Sequence, residues 1–552
     1  MIKLSGLLFA ALLAAACAPA APSPAPAQPV SAFAPEAAAP TSATPQPKRG
    51  GIVVYPRADN MQTLHPGKGD VTIAGALSGV YEPLLRMDHQ EGLDFRRARD
   101  LKPGLAERWE TVDPTTFVFH LRKNVKWHDG RPMTADDVVF SLRTWTNAEE
   151  APEPRRSAGA LIASVEKVDD YTVKATTKQQ SANFLPFLAF QRNVYIAPRH
   201  VEDLAKTVIG TGPFKVVKAD IKSLVTVERN ADFYRSGMPY LDGGKVFIGM
   251  ERSQQQAALV AKAIDLMNVG DQAQYDALKK QLPADVKSTS YLQTLGNSIY
   301  MRLDKPPFND IRVRKAMHLA IDRQGLVKSV TFGAGAINPP AGLALNSYSM
   351  SAEELQRLPG WRQPKDQDLA EAKRLLAEAG YPDGFKVGIQ TAKDRTSSVP
   401  ILEAAGPQLK AVGIDAQVML LERTVFLANQ RDGNYEAILD TIHADPVIQS
   451  LLAFYHSKGN LNKAPINDPD LDALIEEIDK SLDMKRADQL SRRVQEMVLE
   501  KLYTIPTVEL PSFAFWQPWL NNYNLSYSAQ PYIPLWDDVW MDTEKAPART
   551  LQ

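Results

Sequence analysis

The side chains that could do chemistry are few, and their spacing argues against most of it. Eight histidines are scattered along the chain, and no His-Glu-x-x-His places two imidazoles on one helix face for a metal. His443 and His456 share one region without a ligand-like spacing. Ser164-Val165-Glu166-Lys167 has the Ser-x-x-Lys form of a penicillin-recognising nucleophile, but neither Ser-Asp-Asn nor Lys-Thr-Gly accompanies it. Gly333-Ala334-Gly335 lacks the third glycine of a dinucleotide loop. Gly210-Thr211-Gly212-Pro213-Phe214 is the strongest glycine block. Pro213 removes an N–H donor from it, and the Gly-Lys-Ser/Thr ending of a phosphate cradle is missing. Asp136 and Asp137 fall in the first turn of an expected helix, where carboxylates complement the helix dipole. No nucleophile–base pair can be drawn, so the sequence is read as that of a non-enzyme without a metal or a cofactor.

Composition narrows the classes further. A chain of 552 residues is too long for one ordinary core, so two or three lobes are expected. Charged residues are 23% and hydrophobic residues 44%, which fits a soluble globular protein. Lys plus Arg is 63 against 64 for Asp plus Glu, and that balance gives no support for a nucleic-acid partner. Cys17 is the one cysteine, which excludes a disulfide within the chain. It follows a basic start and a short apolar run, residues 4–16, of the length of a signal h-region. Ala14-Ala15-Ala16-Cys17 looks like a lipobox, so residues 1–17 are read as a lipoprotein signal and Cys17 as the acylated residue. The rival is an ordinary signal peptide with a bystander cysteine. Residues 18–48 are mostly Ala, Pro, Ser, Thr and Gln and read as a disordered tether.

The elements that must position any site follow in order. Gly51 to Tyr55 opens a strand. Phe117, Phe119 and Leu121 alternate with His120 and Arg122, the period of a half-buried strand. Asp129-Gly130 and Pro132 punctuate a turn, and Thr134 with Asp137 has capping-box spacing before a helix. Asp310 caps a helix whose buried stripe is Val313, Ala316, Met317, Ala320 and Ile321. Residues 366–380 read as a helix. Residues 386–390 and 416–421 read as strands flanking a helix near 400–412, an order that implies parallel pairing. Residues 435–440 form a further strand, Asp468-Pro469 starts a helix, and 484–501 make another. Residues 504–508 look like a returning strand, and the aromatic-rich 531–540 is expected to pack on the first lobe.

Several blocks resemble one family. They are Pro103-Gly104-Leu105-Ala106-Glu107-Arg108-Trp109, then Val125-Lys126-Trp127-His128-Asp129-Gly130, the Gly210 to Phe214 block, Asn230-Ala231-Asp232-Phe233-Tyr234 with Pro239-Tyr240-Leu241-Asp242, and Phe308-Asn309-Asp310-Ile311-Arg312. Together they are similar to the family 5 extracellular solute-binding proteins, the oligopeptide-, dipeptide- and nickel-type receptors of ABC importers, over about residues 50–542.

The resemblance implies an α/β two-lobed periplasmic-binding-protein fold (type II, cluster C) with an extra subdomain inserted in the first lobe. Lobe 1 would comprise residues 49–75, 205–300 and 505–545, the insert 76–204, and lobe 2 residues 301–504. It implies a monomeric extracytoplasmic receptor that closes on a small solute and hands it to a membrane permease. The membrane would be met through the lipid anchor. Peptide is the leading solute class, with opines, sugar conjugates and a chelated metal as rivals. A sensor or chaperone of the same fold, and a hydrolase, are the other readings. In relatives the junction after the 435–440 strand carries a Trp that packs on the ligand and then an Asp-Pro. Here Asp445-Pro446 stands, with His443 near the Trp position. Candidate contacts are therefore Asp445, His443 and Asp440 from lobe 2, with Asn60, Met61 and His65 from lobe 1 and Arg192 from the insert.

Overall fold

The computed structural model describes residues 46–57, 63–66, 79–87, 101–145, 159, 161–189, 194–342, 349–393, 395, 398–443, 447–523 and 536–551. Cys17 and nearly all of the proposed signal and tether lie outside them.

Strand β1 (Ile52–Pro56) opens the fold. The chain then builds a layer of its own from β2 (Leu85–Met87), β3 (Leu101–Pro103), β4 (Ala106–Asp113), β5 (Thr116–Leu121), α1 (Ala135–Trp145), β6 (Ile162–Asp169), β7 (Thr172–Thr177) and α2 (Phe184–Ala189). β4 to β7 form an antiparallel sheet in the order β4-β5-β7-β6. The alternation in β5 buries Phe117, Phe119 and Leu121 in a core with Trp127, Phe184 and Phe187. Each such side chain contributes about 1.5–3 kcal/mol by leaving water. Asp137 does more than complement the dipole of α1. Its carboxylate accepts from Thr134 N (2.9 Å) and from Arg199 N (3.0 Å), and so ties a distant loop to the helix start.

Strands β8 (Phe214–Asp220), β9 (Leu224–Arg229) and β10 (Gly243–Phe247) bring the chain back beside β1. The glycine block makes that return possible through close backbone contact. A Cβ on Gly210 would lie 1.8 Å from Val80 O, and one on Gly212 would lie 2.3 Å from Gly79 O. His128 braces the same turn, its Nε2 3.0 Å from Gly212 O and its Nδ1 accepting from Gly210 N at 3.2 Å. Burial pushes His128 down to about 4, so the ring is neutral and donates only through Nε2.

Helices α3 (Arg252–Val260) and α4 (Gln272–Gln281) flank β11 (Leu266–Val269). The long strand β12 (Lys287–Met301) then runs toward the second lobe. There follow α5 (Ile311–Ala320), α6 (Arg323–Val330), β13 (Ala336–Ile337), α7 (Asp366–Glu378), β14 (Phe385–Ala392), α8 (Ser398–Lys410), β15 (Ile414–Leu421), α9 (Arg423–Asp432), β16 (Ala437–His443), α10 (Val447–Phe454), α11 (Pro469–Lys480) and α12 (Met484–Lys501). β17 (Thr504–Trp516) returns, and it is longer than the five residues read from the sequence.

β14 pairs in parallel with both β15 and β16, as strand–helix–strand order requires. Asp310 caps α5 by accepting from Arg312 N at 2.8 Å. One face of this sheet buries Ile299, Met301 and Leu439 with residues of α5, α7 and α8. The other buries Tyr300 and Ile438 with residues of α10, α11 and α12. Trp536 stacks on Tyr55 at 5.0 Å, which seats the aromatic C-terminal segment in the first lobe's core.

Candidate functional site

β12 and β17 are the long strands shared by the two lobes. Near one end β17 pairs with β11 through Phe513 to Trp516, in the first lobe. Near the other it pairs with β12 at Ile299 and Tyr300, inside the second lobe's core. Between those stretches the β12–β17 register shifts twice, once between Leu292 and Gly296 and again between Gly296 and Ser298. Such irregularities bend paired strands, which suits the pivot between two bodies. The lobes also meet away from the pivot. Ser181 Oγ donates to Asp479 Oδ1 at 2.7 Å, and Ala182 N donates to Asp479 O at 2.6 Å. Burial raises the Asp479 carboxyl to about 6, with the Ser181 bond opposing it.

The end of β16 carries the charged part of the second lobe's wall. Asp440 is 1% exposed. Its Oδ1 pairs with Arg395 and accepts from Thr441 N at 2.8 Å. Its Oδ2 pairs with Lys463 and accepts from Gln430 Nε2 at 2.6 Å. Four donors fill the lone-pair sites of one carboxylate. Burial alone would raise Asp440, but Lys463 and Arg395 override it and hold the group below the usual carboxylate range. A direct solute contact from Asp440 would require one of these donors to leave. Arg395 also donates to Thr441 Oγ1 at 3.0 Å and lies 5.8 Å from the Phe426 ring. Sequence reading named Asp440 but missed Arg395, Lys463 and Gln430, because each comes from a different element and none sits in a motif.

Three buried oxygens near the pivot have no donor. They are Glu509 Oε1 on β17, Asn297 Oδ1 on β12 and Asn338 Oδ1 just after β13. The amide orientations follow from the bonds made by nitrogen. Asn338 Nδ2 donates to Asn297 O (2.7 Å), and Asn297 Nδ2 donates to Val508 O (3.3 Å). Burial alone pushes the Glu509 carboxyl well above the carboxylate range. Sequence reading missed Glu509, although it is the one charged residue in Thr504–Trp516.

His65, at the start of the first lobe's loop, is half-buried, and its N donates to Thr63 Oγ1 at 3.0 Å. Asn60, Met61, Arg192, Asp445 and the side chain of His443 lie outside the described residues; β16 carries the His443 backbone. Among the described residues no group of three or more His, Cys, Asp or Glu is placed to hold a metal ion. Nor is any helix there long and apolar enough to cross a membrane. Lys167 of the Ser-x-x-Lys spacing pairs with Asp136 and Asp170 rather than with Ser164.

With this geometry established, comparison with known proteins places the chain. The family model described as "Bacterial extracellular solute-binding proteins, family 5 Middle" matches residues 100–462. The chain belongs to that family. It is 26% identical over 478 residues to heme-binding protein A of Haemophilus influenzae, covering 78% of this chain and 83% of that one. It is 25% identical over 504 residues to the periplasmic oligopeptide-binding protein OppA of Escherichia coli K12, covering 85% and 89%. In fold it is similar to the periplasmic binding protein DppA of Helicobacter pylori in complex with the peptide STSA, with a TM-score of 0.73 at 22% identity over 90% of this chain and 99% of that one. The family 5 protein described here is thus a two-lobed extracytoplasmic receptor for a small solute, with a subdomain inserted in its first lobe.

Proposed function

We propose that this family 5 protein is the receptor of an ABC importer, held at a membrane face by acyl chains on Cys17. It works as a monomer and passes its solute to a permease. The observation that carries the reading is the family match across both lobes, together with the two shared strands and the Ser181–Asp479 contact. That combination describes bodies that hinge and close. Contacts made only in the closed form select it when solute binds.

Peptide is the leading solute class, because relatives named for peptides match over most of the chain. Asp445 would pair with a cationic group of the solute through a charge-assisted bond. His443, His65, Asn60, Met61 and Arg192 would complete the contacts, and Asp440 would act by presenting Arg395. Native against denaturing mass spectrometry of the full chain tests the reading. A carried solute that fragments as a peptide is expected. A carried opine, sugar conjugate or metal chelate would replace the class, and a product formed with turnover would overturn the receptor reading.

A further inference from the structure

Glu509 is 2% exposed, yet no hydrogen bond reaches its Oε1. An ion pair or several donors normally accompany a buried acid, because taking a carboxyl out of water without a partner costs several kcal/mol. No described side chain of the surrounding strands reaches that oxygen. In the antiparallel pairings the residues directly opposite Glu509 are Gly296 on β12 and Ala336 on β13. Cross-strand partners share a face, so on its own face the carboxyl is flanked by a hydrogen and a methyl. Gly335 is needed for β13 to come this close, since a Cβ there would lie 2.5 Å from Glu509 O.

Two further unmet atoms of this junction have the same sign. Asn297 Oδ1 and Asn338 Oδ1 are acceptors, and their amide nitrogens are committed to backbone carbonyls. Among the described residues, Glu509 Oε1, Asn297 Oδ1 and Asn338 Oδ1 are thus open to incoming donors. The group that complements them is positively charged and carries several N–H bonds.

We propose that Glu509, at the crossing of the lobes, anchors an amine or guanidinium group of the captured solute. This deepens the receptor reading and rests on it. An entering cation supplies donors to a carboxyl that has none, and the carboxyl releases its proton as the charge arrives. Burial raises the acid in the empty protein, which keeps it neutral until then.

The test uses the full chain as wild type, Glu509→Gln and Glu509→Met. The probes are a random tripeptide mixture with free amines and the same mixture acetylated at every amine. Native mass spectrometry reads which species are retained, and titration of the retained species reads affinity. The wild type should prefer the free-amine mixture, and both variants should lose that preference, binding its members about tenfold more weakly or worse. Equal retention of both mixtures by the wild type, or an unchanged preference in both variants, overturns the proposal and leaves the receptor reading standing. Retention of neither mixture overturns this proposal and the peptide class together. Stabilisation by calcium ion alone, lost in Glu509→Gln, would assign the oxygens to a metal ion and overturn it as well.

Discussion

Asp440 and Glu509 are both buried acids near the meeting of β12 with its neighbours, and they are handled in opposite ways. Asp440 faces two cations, an amide and a backbone N–H. Its charge is stabilised where it stands, and the cluster fixes Arg395 and Lys463 around the end of β16. No hydrogen bond reaches Glu509 Oε1, and the residues flanking it across the sheet are Gly296 and Ala336. One acid has been completed by folding. The other is left for something that arrives later. A buried charge by itself therefore says little about function; the count of its donors says more.

The largest effect that would sharpen this contrast is removal of the completed acid. Asp440→Ala leaves the half-buried Arg395 and Lys463 without their counter-ion and should destabilise the protein by about 3–5 kcal/mol, read as a lower denaturant midpoint. A loss below about 1 kcal/mol would mean that the cluster does not hold the end of β16 together.

Next in size is the pH response of Asp479, a third buried acid, which lies where the lobes touch. Burial raises its carboxyl from the ordinary aspartate range to about 6. A raised acid contributes stability that is fully present below its unfolded value and is lost as pH rises through the folded one. Burial of Asp479 against the Ser181 segment should therefore become less favourable between about pH 4 and 6, by up to about 3 kcal/mol at 1.36 kcal/mol per unit. Lys480 and Glu476 are the charged groups beside it. Scattering profiles of the solute-free chain across that window should show opening as pH rises. Asp440, being lowered, has the opposite sign: its contribution is lost as pH falls below the ordinary carboxylate range. No opening across that window would mean that Asp479 does not govern the contact.

A smaller and inverted effect is expected at Glu509. Glu509→Met should raise the melting stability of the empty protein by about 1–2 kcal/mol, because it removes an unmet polar group. The gain should be larger at pH 8 than near pH 4, since the cost of a raised acid grows above its unfolded value. A destabilised variant would show that Glu509 is already satisfied.

The smallest stability effect is expected for Asp445→Ala. It should leave the empty protein's stability within about 0.5 kcal/mol of wild type, read by thermal unfolding, while lowering solute affinity. Unchanged affinity would remove Asp445 from the site.

Much of the architecture was legible in order along the chain. The alternation of Phe117, Phe119 and Leu121, the cap at Asp310 and the strand–helix–strand order around α8 depend on neighbours a few residues apart, and the structure has all three. The candidate site was legible only in part. Asp440 could be named from its place at a strand end, but its partners come from three separated segments at Arg395, Gln430 and Lys463. Glu509 left a visible trace, a lone charge in an otherwise uncharged strand. Its meaning depended on what stood across the sheet.

The sequence by itself determined the class of the molecule. Its family blocks could be read along the chain, because periodicity, capping and turn chemistry are local properties of neighbouring residues. Only the tertiary structure decided which buried acids are finished and which are open. Whether a carboxyl has four donors or none is set by strands and helices distant in sequence, by the β12–β17 register shifts beside Gly296, and by the β13 pairing that sets Ala336 opposite Glu509.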